Sequence, residues 1–209
     1  MLLDRSGPDP KVLLGRRHDS LVFMPGIYVC PGGKVERADA NVPAIGDLPA
    51  HVARRLSDGR LPAKTYALTA VRELFEETGL MLGRKGPVPD GLNGEWRGFA
   101  EAGVAPCLND IWFIARSVTP PGFVRRYDTR FFAADAGGIC HTIDGVVNAD
   151  AELVELAWIP VGDTAGLKMH MITRLVLGEL AARLETGLDR DLPVPYFRAR
   201  NGVMRRLEI

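Results

Sequence analysis

Residues 65–78 constrain the fold more than any other segment, because their apolar and small side chains recur at helical spacing. The residues concerned lie at i, i+3, i+4, i+7, i+8 and i+11: Ala67, Ala70, Val71, Leu74, Phe75 and Thr78. Such a stripe predicts an amphipathic helix with one buried face. Thr65 suits the N-cap position, and Gly79 suits the left-handed residue that follows a helix. We therefore predict a helix over 65–78.

Three glutamates occupy the opposite side of this predicted helix. Glu73, Glu76 and Glu77 fall within an arc of about 100°. Like charges at these spacings destabilise an isolated helix by about 0.2–0.5 kcal/mol per pair, and the C-terminal turns of a helix disfavour anions. A divalent cation would remove both penalties, and Mg²⁺ prefers carboxylate oxygens, water and phosphate. An acidic helix face on its own is more often simply solvated.

The remaining pattern alternates extended and helical segments. Strands are predicted at 11–17, at 22–30 with a break at Pro25-Gly26, and at 110–118, 124–134 and 153–159. Further helices are predicted at 48–56, ended by Ser57-Asp58-Gly59, and at 95–102 and 167–185. Because strands and helices interleave, we expect an α/β layered domain with a mixed β-sheet.

Composition excludes several classes of function. The chain has 209 residues, 46% of them hydrophobic and 25% charged, which suits one globular domain over 1–209. Lys+Arg and Asp+Glu both number 26, so no global positive field favours a nucleic acid. The sequence contains no apolar run of about 18 residues, which predicts no membrane span. No signal peptide pattern opens it, so we expect a cytoplasmic protein.

The three cysteines are far apart in sequence and odd in number. Cys30, Cys107 and Cys140 form no CxxC pair, so neither a zinc site nor a disulfide framework is indicated. We expect reduced thiols, as in a reducing compartment.

The acidic helix becomes specific when it is combined with the upstream turn Pro31-Gly32-Gly33. Gly33, five residues, an acid, and then the segment 72–80 (Arg-Glu-Leu-Phe-Glu-Glu-Thr-Gly-Leu) resemble the signature of the Nudix hydrolases. Two departures are evident. The first acid is Asp39 where the family has Glu, and the stretch between Asp39 and Arg72 is about 25 residues longer than the family pattern. The resemblance, which runs with gaps from about residue 11 to 160, implies the Nudix α/β/α sandwich with a mixed sheet.

The extra length resembles one branch of the family, the coenzyme A diphosphatase-like proteins of the peroxisomal type. Phe23-Met24-Pro25-Gly26 before the glycine turn, and the segments 118–121 and 126–132, are similar to that branch. We expect residues 40–64 to be an insertion outside the core, close to the mouth of the site, covering part of the substrate or a partner subunit. The short substrate motif of other coenzyme A-cleaving Nudix families is not evident.

The resemblance implies roles for the matching residues. Glu73, Glu76 and Glu77 would ligate Mg²⁺ (or Mn²⁺), with the Gly33 carbonyl as a further ligand. Arg72 would pair with carboxylates and orient the cluster, and we predict an ion pair between Asp39 and Arg72. The metal would neutralise phosphate oxygens and activate water, so no Ser or Cys nucleophile is needed. A glutamate of the cluster is the expected general base, because crowded carboxylates raise one another's pKa.

Two arginines are candidates for binding substrate phosphates. Arg126 and Arg130 alternate with other residues of the predicted strand 124–134 and share its face with Asp128. The alternative, a solvated polar face, is equally compatible with this pattern. Near the strand at 153–159, Glu152 and Glu155 are expected to be surface charges, although some Nudix enzymes place an extra acid there.

Two classes of function remain open. The first is a Mg²⁺-dependent pyrophosphohydrolase that cleaves a small nucleoside diphosphate-linked compound, with coenzyme A or acyl-CoA favoured by the branch resemblance and ADP-ribose, NADH or nucleotide sugars as alternatives. The second is a Nudix-fold module, with or without a homodimeric partner, that senses a nucleotide without cleaving it. The complete set of three glutamates favours the enzyme.

Overall fold

The computed structural model of the protein describes residues 1–57, 60–88, 90–200 and 203–209. Its helices are α1 (Ala50–Leu56), α2 (Ala63–Thr78), α3 (Arg97–Glu101) and α4 (Met171–Thr186). Its strands are β1 (Leu2–Asp4), β2 (Lys11–Arg17), β3 (Tyr28–Val29), β4 (Leu80–Lys85), β5 (Val104–Pro106), β6 (Ile111–Val118), β7 (Asp128–Asp135), β8 (Ile139–Thr142), β9 (Leu153–Pro160), β10 (Pro195–Arg200) and β11 (Val203–Glu208). Short 3-10 helices are formed by Arg37–Asn41, Gly94–Trp96 and Ala136–Gly138.

Two β-sheets organise the described part of the chain. The larger, of eight strands, runs in the order β11-β10-β6-β7-β1-β2-β3, and β9 also pairs with β2. Its ladders are mixed, because β1 pairs with β7 and β10 with β6 in parallel while the other pairs are antiparallel. The smaller sheet has the order β5-β4-β8. Within these ranges no helix is both long and apolar enough to cross a membrane.

The large sheet separates two apolar clusters, which gives an α/β/α sandwich. On one side α4 packs against β6, with Val176, Leu177 and Leu180 buried. The other cluster contains the buried face of α2 together with residues of α1, α3 and both sheets. Alternation along the central strands supplies side chains to both clusters, as expected for a sheet covered on both faces. The predicted fold class is therefore confirmed.

Several predicted boundaries are wrong for local reasons. The segment 22–30 is extended only at Tyr28–Val29, because Met24 and Gly26 have positive φ angles of 53° and 63° and make a tight loop. The helix predicted at 65–78 begins two residues earlier, after Pro62, so Thr65 is buried inside it and does not cap it. The C-terminal helix begins after His170, and the strand predicted from residue 124 begins at Asp128.

The interpretation of residues 40–64 as a segment outside the core is also wrong. Leu48, Val52 and Leu56 are buried within the same cluster as α2, and α1 packs directly on α2. Arg55 ties α1 to the chain before β10 by donating hydrogen bonds to the carbonyl oxygens of Arg190, Asp191 and Leu192 at 3.0–3.2 Å. The segment is therefore part of the fold. Asp58 and Gly59, predicted to end α1, lie outside the described residues.

We predict that Leu56→Ala lowers the free energy of unfolding by about 2–5 kcal/mol, because it empties a fully buried site between α1 and α2. Chemical denaturation monitored by circular dichroism measures the change. The matched control is Leu175→Ala on α4, where the side chain is 38% exposed and a smaller loss is expected. Equal losses in the two variants would show that α1 does not contribute to the core.

Candidate active site

Helix α2 places the three glutamates of the signature at the edge of a pocket of about 210 Å³. Gly79 ends the helix in the left-handed conformation, with φ 76°, and its N–H donates to the Phe75 carbonyl oxygen at 2.7 Å. This stop lets the chain turn into β4 immediately after the acids. The pocket is lined by residues of α2 and of the segment leading into β9: Glu73, Glu76, Glu77, Val146, Ala151, Glu152 and Leu153.

A buried arginine organises the acids. Arg72 is only 2% exposed, and its Nε lies 2.9 Å from Asp39 Oδ1, which confirms the predicted ion pair. Its Nη1 lies 2.9 Å from Glu73 Oε1 and 2.7 Å from Glu76 Oε2, and its Nη2 donates to the Lys34 carbonyl oxygen at 2.8 Å. Burial alone would lower the pKa of Arg72, but the hydrogen bonds and charges of these carboxylates raise it. The guanidinium therefore stays charged and fixes two of the three acids.

Asp39 is the buried end of this network. Its carboxylate accepts hydrogen bonds from Thr69 Oγ1 at 2.8 Å and Trp96 Nε1 at 2.9 Å, and from the backbone N–H of Glu36 at 2.9 Å. Burial raises the pKa of Asp39, but the hydrogen bond from Arg72 and these other donors lower it below the ordinary value. Asp39 thus joins its own 3-10 helix, α2 and the 3-10 helix before α3 through one ionised group.

The glycine turn approaches the acids closely. The Gly32 N–H donates to Glu77 Oε2 at 3.0 Å. A Cβ atom at Gly33 would lie 2.4 Å from Glu73 Oε2, so a side chain there would displace this carboxylate. The structure thus places Gly33 against the carboxylate of Glu73, a predicted metal ligand. The role of the Gly33 carbonyl as a further ligand stays a prediction.

The electrostatics of the pocket favour a cation. Burial, and next the charges of Glu152 and Glu73, raise the pKa of Glu77 to about 8, against the opposing effect of the Gly32 N–H. Burial also raises the pKa of Glu73, although Arg72 partly offsets this effect. Carboxylates that are this difficult to ionise gain from a nearby divalent ion, and their oxygens are the donors that Mg²⁺ prefers.

The acids are not yet gathered around a single point. No group of three or more His, Cys, Asp or Glu side chains within the described residues is arranged to hold a metal ion. Arg72 draws Glu73 and Glu76 towards itself, while Gly32 holds Glu77. The donor set therefore fits the ion chemically, and binding would require the glutamates to reorient from Arg72.

Glu152 is exposed, as predicted for a surface charge, and it also lines the pocket. Its side chain is 51% exposed, lines the pocket and accepts a bond from Arg17 Nη1 at 2.6 Å. Glu155, three residues further along the chain on β9, instead accepts hydrogen bonds from Arg16 Nε and the Tyr28 hydroxyl. The pairing of Arg17 with Leu153 brings Glu152 to the pocket, and a register between strands so distant in sequence could not be predicted from local pattern.

The two predicted phosphate-binding arginines lie apart from the acidic pocket. Arg126 precedes β7, so it does not share a strand face with Arg130, and its Nε donates to the Thr119 carbonyl oxygen at 3.2 Å. Arg130 has a side chain only 4% exposed, 3.8 Å from the centre of the Tyr66 ring and 3.5 Å from Asp128 Oδ1. Neither residue lines the pocket, and their contact with substrate stays a prediction.

We predict that Asp39→Asn lowers the free energy of unfolding by about 3–5 kcal/mol, because it leaves the buried Arg72 charge without its main partner. The control is Asp110→Asn, which removes an exposed ion pair with Arg84 and should have little effect. Equal denaturation midpoints for wild type and Asp39→Asn would contradict the assignment.

The same pair gives a pH dependence. Since the folded-state pKa of Asp39 is lowered, its stabilising contribution is complete above the unfolded-state pKa of about 4 and is lost as the pH falls through the folded-state value. The difference in stability between wild type and Asp39→Asn should thus be constant near neutral pH and shrink below about pH 4. Denaturant titrations over this range measure it, and a difference that grows on acidification would have the wrong sign.

Known proteins share this architecture. A NUDIX hydrolase from Alicyclobacillus acidocaldarius superimposes with a TM-score of 0.61 at 29% identity, over 87% of this chain and 89% of that one. The NUDIX domain of Shewanella oneidensis NrtR, solved with ADP ribose, gives only 0.48 at 15% identity, too low to carry an argument about ligands. No family model matches the chain.

A relative by sequence points the same way. Nudix hydrolase 7 of Caenorhabditis elegans is 26% identical over 58% of this chain, and the match spans only 38% of that protein's length. The likenesses support neither the coenzyme A branch nor the insertion specifically. The chain is thus similar in sequence to Nudix hydrolases and has the Nudix fold.

Proposed function

We propose that the protein is a Mg²⁺-dependent pyrophosphohydrolase that cleaves the diphosphate linkage of a nucleoside diphosphate-linked compound. The observation that carries the proposal is the pocket where Glu73, Glu76, Glu77 and Glu152 meet beside the glycine turn. Four carboxylates at one pocket would repel an anionic substrate unless a cation neutralised them. The arrangement therefore fits metal-assisted hydrolysis of a phosphate anhydride better than any chemistry based on a protein nucleophile.

The residues of the site have distinct roles in this proposal. Glu73, Glu76 and Glu77 would hold Mg²⁺ or Mn²⁺, with the Gly33 carbonyl and Glu152 as further candidates. The ion would supply Lewis acidity and lower the pKa of water. Arg72 positions two of the glutamates and Asp39 positions Arg72, so the buried pair acts through the ligands. A carboxylate of the cluster would accept the proton of the attacking water.

The substrate is proposed by class. Coenzyme A or an acyl derivative comes first for testing, because of the branch resemblance in the segments 23–33 and 118–132. ADP-ribose, NADH and nucleotide sugars follow. Arg126 and Arg130 are proposed to contact substrate phosphates, and they would need to move or meet the substrate outside the acidic pocket. We further propose a cytoplasmic protein with a small-molecule substrate and no nucleic-acid partner.

A substrate panel tests the activity. Phosphate-containing products should appear with Mg²⁺ or Mn²⁺ and disappear with EDTA. A panel without any metal-dependent cleavage would favour the alternative, a nucleotide-sensing module without catalysis, and binding of the same compounds could then be measured by calorimetry. Recovery of all the diphosphates intact after incubation with the wild-type enzyme and metal would exclude hydrolysis of the compounds tested.

We predict that Glu77→Gln removes most of the hydrolysis, because it replaces a proposed charged ligand that lines the pocket beside the glycine turn. A decrease of more than tenfold in kcat, or about 1.4 kcal/mol, is expected. Glu155→Gln is the matched control, since that glutamate lies on β9 outside the pocket. A folded Glu77→Gln variant that keeps more than a tenth of the wild-type rate would show that Glu77 is not a ligand.

A further inference from the structure

An exposed apolar patch lies on two loops that the proposed chemistry does not use. The first loop, 18–27, joins β2 to β3, and the second, 119–127, joins β6 to β7. Val22 and Val124 are fully exposed and Phe123 is 63% exposed. The Phe23 and Tyr127 rings are in contact across the two loops, with centroids 6.0 Å apart and planes inclined by 47°. Exposed apolar groups gathered in this way commonly mark a binding surface.

Both rings stand on fixed backbones. Thr119 and Tyr127 close their loop with two hydrogen bonds, from the Thr119 N–H to the Tyr127 carbonyl oxygen at 2.9 Å and from the Tyr127 N–H to Thr119 Oγ1 at 3.1 Å. The other loop is closed at its base, where the Arg17 N–H donates to the Ile27 carbonyl oxygen at 3.0 Å. The ring pair is therefore preformed, which reduces the entropy lost when a ligand binds.

Arg17 connects this patch to the acidic pocket. Its Nε donates to the Phe23 carbonyl oxygen at 3.2 Å, and its Nη1 donates to Glu152 Oε1 at 2.6 Å. The backbone continues the connection, because the His18 N–H donates to the Glu152 carbonyl oxygen at 2.9 Å. One guanidinium thus spans the distance from the aromatic loop to a carboxylate that lines the pocket. The loop that carries Phe23 is therefore joined to the edge of the proposed catalytic site through Arg17.

We propose that Phe23 and Tyr127 bind the planar base of the substrate while its diphosphate lies at the acidic pocket. This inference rests on the proposed function and assigns to these two rings the contact with the base of such a substrate. Aromatic rings stack on nucleobases, and Arg17 at the end of β2 and Arg126 on the second loop suit the phosphates that follow the base. Phe123, Val22 and Val124 would cover the outer edge of the bound base.

The test compares AMP with ribose 5-phosphate, which lacks only the base, by titration calorimetry on the full chain with Mg²⁺. Wild type should bind AMP at least about tenfold more tightly, as base stacking on aromatic side chains predicts. Phe23→Leu combined with Tyr127→Leu should reduce this ratio to near one, whereas Tyr127→Phe should keep it. Trp158→Leu, which removes an exposed aromatic ring on β9 outside the pocket, is the matched control and should also keep the ratio.

Four outcomes distinguish the two proposals. A wild type without preference for AMP, or a folded double variant that retains the preference, overturns the base site. If light scattering shows that the double variant has a different molecular mass from wild type, the patch mediates contact between copies of the chain. That result would also overturn the base site. The base site stands if wild type prefers AMP through these rings but cleaves no diphosphate, in which case the hydrolase proposal alone fails.

Discussion

The buried contact between Asp39 and Arg72 is the interaction on which the rest of the site depends. Each group would be costly to bury alone, and the pair is stable because every remaining hydrogen-bonding direction also finds a partner. Asp39 accepts bonds from three elements of the chain, while Arg72 turns outward to Glu73 and Glu76. One ion pair thus connects the core to the edge of the pocket. Its geometry holds two of the acids at the guanidinium before any ligand arrives, so a bound cation would have to draw them away from Arg72.

The pocket itself is electrostatically unfavourable in isolation. The glutamates lie in the last turns of α2, where the helix dipole disfavours negative charge, and Glu152 adds a fourth carboxylate from another element. Burial and this crowding together raise the pKa of Glu77 to about 8. A stable fold can tolerate such an arrangement when function requires it, since strain of this kind concentrates at functional sites. The core packing of α2 and the positive charge of Arg72 oppose the destabilisation that the crowded carboxylates cause.

The sequence predicts the elements whose pattern is local. The stripe on α2 and the left-handed Gly79 determine that helix within two residues, and the family spacing brings Asp39 to Arg72 despite the long segment between them. Local sequence pattern does not predict the features that depend on contacts between distant segments. Glu152 reaches the pocket only through the register of β2 with β9. Arg126 loses its predicted strand because the turn after β6 continues to Tyr127, and the apolar residues of α1 proved to be core although their stripe is short.

Because α1 packs into the core, the extra residues between Asp39 and Arg72 have a structural role. A segment that merely covered the pocket would leave apolar residues at its own surface, but here they are buried against α2. Arg55 on α1 and Arg183 on α4 also donate to successive backbone carbonyl oxygens of residues 190–193, so helices from the two faces of the sheet hold the chain that enters β10. A guanidinium suits this role because it donates several hydrogen bonds at once. The segment therefore stabilises the helix that carries the acids and connects that helix to the C-terminal hairpin. Phe23 and Tyr127, which we propose to bind the base of the substrate, belong to neither apolar cluster, so their loops contribute little to the core.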